Sequence, residues 1–235
     1  MTARAEEVAA HLATVRRRIA AAAEAAGRDP GEVSLVVVTK FFPASDVRIL
    51  ADLGVTDVGE NRHQEAQAKA AELADLGLRW HFIGGLQSNK AAAVAAYADV
   101  VESVDRTKLL APLARGARER DRPLEVLVQV SLDPAGREGR AGVGPDPDDV
   151  IALADDIDRH PELRLRGLMA VAPLGEDPAA AFGRLAAIRE QFRSAHPHAT
   201  RLSAGMSGDL EQAIAAGATH VRVGSAVLGS RPQVK

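Results

Sequence analysis

The chain has 235 residues, 46% hydrophobic and 26% charged, with a formal net charge of −3 and a pI near 6.2. That length holds one sizeable core, and the charge balance leaves no basic field to gather a phosphate backbone, which excludes nucleic acid as a main partner. With no cysteine, disulfides, thiolate catalysis and cysteine-based metal sites are excluded too.

Aromatics make up only 3%, so the core must rest on Leu, Val, Ile and Ala. The N-terminal stretch carries acids and scattered charges and lacks the apolar core of a signal peptide. No uninterrupted apolar run is long enough for a bilayer, so a membrane is not an expected partner and a cytoplasmic location is.

In chain order, an Ala-rich helix is expected near residues 3–26, stopped by Gly27. Within it the run Arg16-Arg17-Arg18 reads as a solvated face. Residues 33–39, Val-Ser-Leu-Val-Val-Val-Thr, form a first strand apolar enough to be buried on both faces, and Pro43 opens the next helix. A short strand near 56–59 leads into Glu60-Asn61 and a long helix. Further strands are expected at Trp80–Gly84, Val100–Ser103, Glu125–Val130, Arg164–Met169, Thr200–Ser203 and His220–Val223.

Eight short β-rich runs alternating with Ala/Leu/Arg/Glu segments predict an α/β fold, a (β/α)8 TIM barrel over about 33–230. The expectation is one domain with an extra N-terminal helix. The segment Asp133–Asp149 is rich in Gly, Pro and Asp but holds no complete G-x-G-x-x-G, so it reads as a rim loop or an active-site lid.

Barrels of this kind carry their chemistry at the C-terminal strand ends. Lys40 directly follows the first strand. A desolvated lysine has the lowered pKa that an amine needs to attack an aldehyde; the alternative is a lysine that snorkels at a strand end. Ser207 is expected to begin one helix and Gly224-Ser225 another, which would bring two helix starts to the usual phosphate position. Two ordinary serine caps are the other reading, and Asp209 would compete for the same dipole. Arg222 alternates into the barrel and needs an acceptor there, either a ligand atom or a carboxylate such as Glu60. Lysine, phosphate cup and arginine suit a phosphorylated aldehyde, without separating pyridoxal 5′-phosphate from the sugar phosphate of a cofactor-free Schiff-base aldolase.

The segments VTKFFPASDV, GENRHQEAQAK, WHFIGGLQSNK, RGLMAVAP and LSAGMSGDLEQAIAAGATHVRVGSAVLG, in this order, resemble the pyridoxal phosphate homeostasis protein family (the YggS/PROSC family). The likeness covers roughly residues 30–230. It implies a barrel like the N-terminal domain of alanine racemases, with pyridoxal 5′-phosphate as a Schiff base on Lys40. It further implies phosphate binding by Ser207, Gly224 and Ser225, Arg222 facing the pyridine nitrogen, and Asn61 near the ring. The implied role is cofactor homeostasis without dedicated turnover, with apo enzymes as candidate recipients and the chain expected as a monomer.

Two departures stand out: Gly85, where the family usually has Pro or His, and the fifth-strand exit, where Ser131 replaces Asn and Arg140 stands near an expected Lys. An amino-acid racemase is the competing reading. Racemisation needs a base on each face of the ring, and Tyr97, the one tyrosine, is expected on a helix away from any strand end.

Overall fold

The computed structural model describes residues 2–120, 122–133 and 142–230. Helix α1 (Ala3–Ala25) precedes β1 (Ser34–Val38), α2 (Ala44–Asp52), β2 (Asp57–Glu60), α3 (His63–Glu72), β3 (Arg79–Phe82) and α4 (Ala91–Ala95). Then follow β4 (Val100–Val104), α5 (Leu110–Ala117), β5 (Leu124–Val130), α6 (Pro147–Asp158), β6 (Leu163–Ala170) and α7 (Pro178–Ala195). The last elements are β7 (Arg201–Ser203), α8 (Leu210–Ala215), β8 (His220–Val223) and α9 (Ser225–Leu228). All neighbouring strands are parallel, and β8 pairs back onto β1 from Ser34↔His220 to Val37↔Val223, which closes the expected eight-stranded barrel.

The predicted strands recur with ends shifted by one or two residues. Strand β3 ends at Phe82, short of the expected Gly84. A Cβ at Gly84 would lie 2.2 Å from the Asn61 carbonyl oxygen, so the chain leaves the sheet there to pass close over the β2 exit.

Helix α1 buries one stripe, Val8, Leu12, Val15, Ile19 and Ala23, at the three- and four-residue spacing of a helix face. That stripe joins the outer surface formed by Val37, Val58, Leu210, Ile214 and Val227, and so covers the seam where β1 meets β8. The arginine run is not wholly solvated. Arg16 and Arg17 are exposed, but Arg18 reaches across to Glu211 at 2.8 Å.

Outside the sheet, side chains are apolar and pack on the helices. Inside, Val100, Leu127 and Met169 form one small apolar cluster, and the buried His81, Glu102, Ser203 and Arg222 fill much of the rest. Barrel interiors are more often layered with branched apolar residues. At the N-terminal mouth Arg79, Arg166 and Arg201 gather around Glu125.

Closure demands one close approach. Gly167 on β6 has φ +149, and a Cβ there would sit 1.9 Å from the Arg201 carbonyl oxygen of β7. Gly167→Ala should therefore cost at least about 3 kcal/mol, because backbone atoms rather than a flexible side chain must move. Chemical unfolding of the variant measures this; wild-type stability would contradict so close a β6–β7 contact.

Candidate functional site

Lys40 stands one residue beyond Thr39, at the C-terminal end of β1. The turn that carries it is braced from α3. Lys69, itself buried, donates from Nζ to the Thr39 carbonyl at 2.8 Å, to Glu60 Oε1 at 2.7 Å and to Glu65 Oε1 at 2.7 Å. Glu65 Oε1 also accepts the Phe41 N–H at 2.6 Å. Phe41 has φ +71, a left-handed conformation that a bulky residue enters only when its surroundings impose it. The Glu65 contact, with the Arg62 guanidinium 4.8 Å over the Phe41 ring, imposes it here.

Glu60 thus faces α3, not Arg222. Burial pushes its carboxyl up, partly offset by the charge and hydrogen bond of Lys69 and by Thr39. The alternative Glu60–Arg222 pair does not form. Arg222 Nη1 donates instead to Ser203 Oγ at 2.7 Å and Nη2 to the Ala170 carbonyl at 2.8 Å. The reason is strand alternation: with Val38 paired to Gly59, it is Gly59 that turns inward and Glu60 outward.

Ser207 does not begin a helix. Helix α8 starts at Leu210, and Asp209 turns back to accept the Met206 N–H on Oδ1 at 2.5 Å, which ties residues 206–209 into a separate turn. Ser207 is thereby held at the barrel rim, with its carbonyl accepting from Arg18 Nη2 at 3.1 Å. Gly224 and Ser225 do begin α9, and Ser225 Oγ comes within 3.4 Å of Ser207 Oγ. At Gly224 a Cβ would stand 3.1 Å from the Val38 carbonyl oxygen, so the β8 exit lies tightly against β1.

Lys40, Ser207, Arg222, Gly224 and Ser225 all line one cavity of about 360 Å³, well within the ~300–1,000 Å³ of small-molecule sites. Val38, Phe42 and Ile83 add apolar wall, and Met206 lies at its exposed edge. Asn61 is not among the lining residues; it is exposed beside Gly84. An amine, two facing hydroxyls, a buried guanidinium and apolar walls match a flat heteroaromatic aldehyde carrying a phosphate.

A family model described as alanine racemase, N-terminal domain, matches residues 10–232. The pyridoxal phosphate homeostasis protein of Mycobacterium tuberculosis is 45% identical over 245 residues, covering 97% of this chain and 94% of that protein. The protein of the same name from Escherichia coli K12 is 37% identical over 235 residues, covering 97% and 99%. Among solved structures, PipY of Synechococcus elongatus with PLP bound is similar at a TM-score of 0.79 and 36% identity, covering 94% of this chain and 100% of PipY.

The chain belongs to the pyridoxal phosphate homeostasis protein family.

Within that family the departure at Gly85 is sterically free, since a Cβ there would meet nothing within 4 Å. Ser131 donates its N–H to the Val143 carbonyl at 2.8 Å, so the far end of the 133–149 loop is tied to the β5 exit. Arg140 lies outside the described residues. Sequence reasoning missed Glu65 and Lys69, whose four-residue spacing on α3 was the available signal. It gave His81 no role and missed Glu102, both titratable residues within buried strands.

His81 lies between two carboxylates: Nδ1 is 2.7 Å from Glu102 Oε1 and Nε2 is 2.9 Å from Asp57 Oδ1. Burial alone would lower its pKa, but Asp57 and Glu102 raise it. Burial would raise both acids; His81 and, for Glu102, Arg222 and Ser203 outweigh it and hold each at about 2. A carboxylate depressed in the folded state adds stability that is complete above its unfolded pKa and lost as pH falls through the folded one. Asp57 and Glu102 should therefore stabilise fully above pH ~5, with their contribution failing only towards pH ~2. His81→Gln should raise the acid-unfolding midpoint by about one pH unit. Thermal scans from neutral to acid pH measure it, and an unchanged midpoint would show that His81 does not hold these acids ionised.

Proposed function

We propose that this protein binds pyridoxal 5′-phosphate on Lys40 and keeps it available to the cell, with no dedicated turnover of a substrate. The observation that carries the reading is the meeting of Lys40, Ser207, Arg222 and Ser225 in one cavity. The PLP bound in PipY and the names of the curated relatives support it.

The bound group supplies an aldehyde and a conjugated ring; the chain supplies everything else. Lys40 Nζ would join the aldehyde carbon as a Schiff base, with water as the leaving molecule. Ser207 and Ser225 would donate their hydroxyls to the phosphate, where charge-assisted bonds are strongest. Gly208 and Gly224 leave the backbone open to close approach. Arg222 would face the ring nitrogen. A permanently charged donor there keeps that nitrogen unprotonated, which makes the ring a poor sink for a carbanion.

Racemisation finds less support. Tyr97 lies in the turn before β4, with its ring stacked on His63 at 5.8 Å between ring centroids. Its hydroxyl is buried, and burial, then the charge of Glu60, push its pKa up. It does not line the cavity. In the proposed role, apo enzymes are the recipients, and the chain acts as a single-domain, cytoplasmic monomer. No helix among the described residues is long and apolar enough to cross a membrane.

Purified protein should absorb in the visible, lose that band on borohydride reduction, and gain the corresponding mass at Lys40. A colourless protein, or an adduct mainly on Lys90 or Lys108, would sink the assignment. Ser207→Ala should weaken pyridoxal phosphate by about 1–2 kcal/mol and leave dephosphorylated pyridoxal nearly unchanged. Equal loss for both ligands in a titration would make Ser207 a structural residue of its turn.

A further inference from the structure

The guanidinium at the floor of the cavity is anchored from below. Arg222 Nη1 donates to Ser203 Oγ at 2.7 Å, and Ser203 Oγ donates to Glu102 Oε2 at 2.6 Å. Through His81 the chain of contacts runs on to Asp57, where Thr56 Oγ1 donates at 2.6 Å. Residues from β2, β3, β4, β7 and β8 thus make one connected column along the barrel interior.

The column is built to be neutral. The acids Asp57 and Glu102 alternate with the bases His81 and Arg222, and Glu102 Oε2 lies 3.8 Å from Arg222 Nη1. His220, the other histidine of the interior, stays uncharged, because burial pushes it down to about 4. Its Nδ1 is 2.8 Å from Thr219 Oγ1 instead.

An apolar filling would hold a barrel together at least as well as a buried ionic column. What the column adds is direction. An arginine side chain has several rotatable bonds and five N–H donors. Here Ser203 and the Ala170 carbonyl fix two edges of the guanidinium, while Arg222 still lines the cavity.

We propose that Ser203 and Glu102 are positioning residues for the ring-binding end of the cavity. They lock Arg222 so that it presents a fixed donor to a nitrogen in the ring of the occupant, and His81 holds Glu102 in place from its other oxygen. The proposal rests on the reading of the cavity as a pyridoxal phosphate site. It adds three interior residues to that site, none of which lines the cavity.

The decisive probe is a pyridoxal phosphate analogue with C–H in place of the ring nitrogen. It keeps the aldehyde and the phosphate but cannot accept from Arg222. Wild-type protein should bind pyridoxal phosphate about tenfold more tightly than this analogue, the scale of one hydrogen bond to a charged group. Ser203→Ala, a small change on a short strand, should cut that preference to about twofold by weakening pyridoxal phosphate alone. Glu102→Gln, checked for folding by circular dichroism, should move the preference in the same direction. In the ligand-free protein, NMR should resolve hindered rotation of the Arg222 guanidinium, and Ser203→Ala should release it.

Equal weakening of both ligands in Ser203→Ala, or an Arg222 that stays equally hindered, would overturn the proposal. So would wild-type protein that binds the two ligands alike, which would leave the cofactor reading standing. Wild-type protein that binds neither would instead fail the cofactor reading itself, and the proposal with it.

Discussion

A permanent positive charge inside a barrel must be answered from within the barrel, and Arg222 is that charge. The answer determines much of the interior. Ser203 is small and hydroxylated where it meets Arg222, Glu102 supplies the anion, and His81 lies between Glu102 and Asp57, which raise its pKa. Arg222 and Glu102 are buried, so each would be costly alone, and each is tolerable because a group of opposite charge lies close by. Apolar packing inside is left to small groups such as the cluster of Val100, Leu127 and Met169.

Lys40 is held by a separate device outside the strand cylinder. Lys69 and Glu65 reach from α3 to the turn after β1, and Phe41 is kept in a left-handed conformation by that grip. The two basic residues proposed to hold the cofactor are therefore fixed from opposite sides of the sheet. Arg222 is tied to the axis and Lys40 to the helical shell, and the cavity lies where the two systems meet. The rim at Ser207 has a third support, since Arg18 of α1 holds both the Ser207 carbonyl and Glu211.

Much of this was legible in order. The run Val33–Thr39 announces a strand buried on both faces, and the alternation of such runs with helical segments predicts the barrel before any pairing is known. Lys40, Ser207, Arg222, Gly224 and Ser225 were legible because strand ends in this fold converge on one face. The helix expected to begin at Ser207 was misplaced because Asp209 has two uses. It can continue a helix, or turn its carboxylate back to the Met206 N–H, and the second use closes a turn first.

The sequence by itself determined the repeated strand–helix unit, the inward sense of Arg222 and the place of Lys40 at a strand end. All three follow from local periodicity and position. Partner choice was decided only by the tertiary structure. Glu60 and Glu102 are both acids on short strands, yet one turns out to Lys69 and the other in to His81 and Ser203. Which way each points depends on the register between neighbouring strands and on the irregularity between β4 and β5 at Val101–Val104. Register is a relation between distant segments, and a shift of one residue turns a side chain to the other face of the sheet.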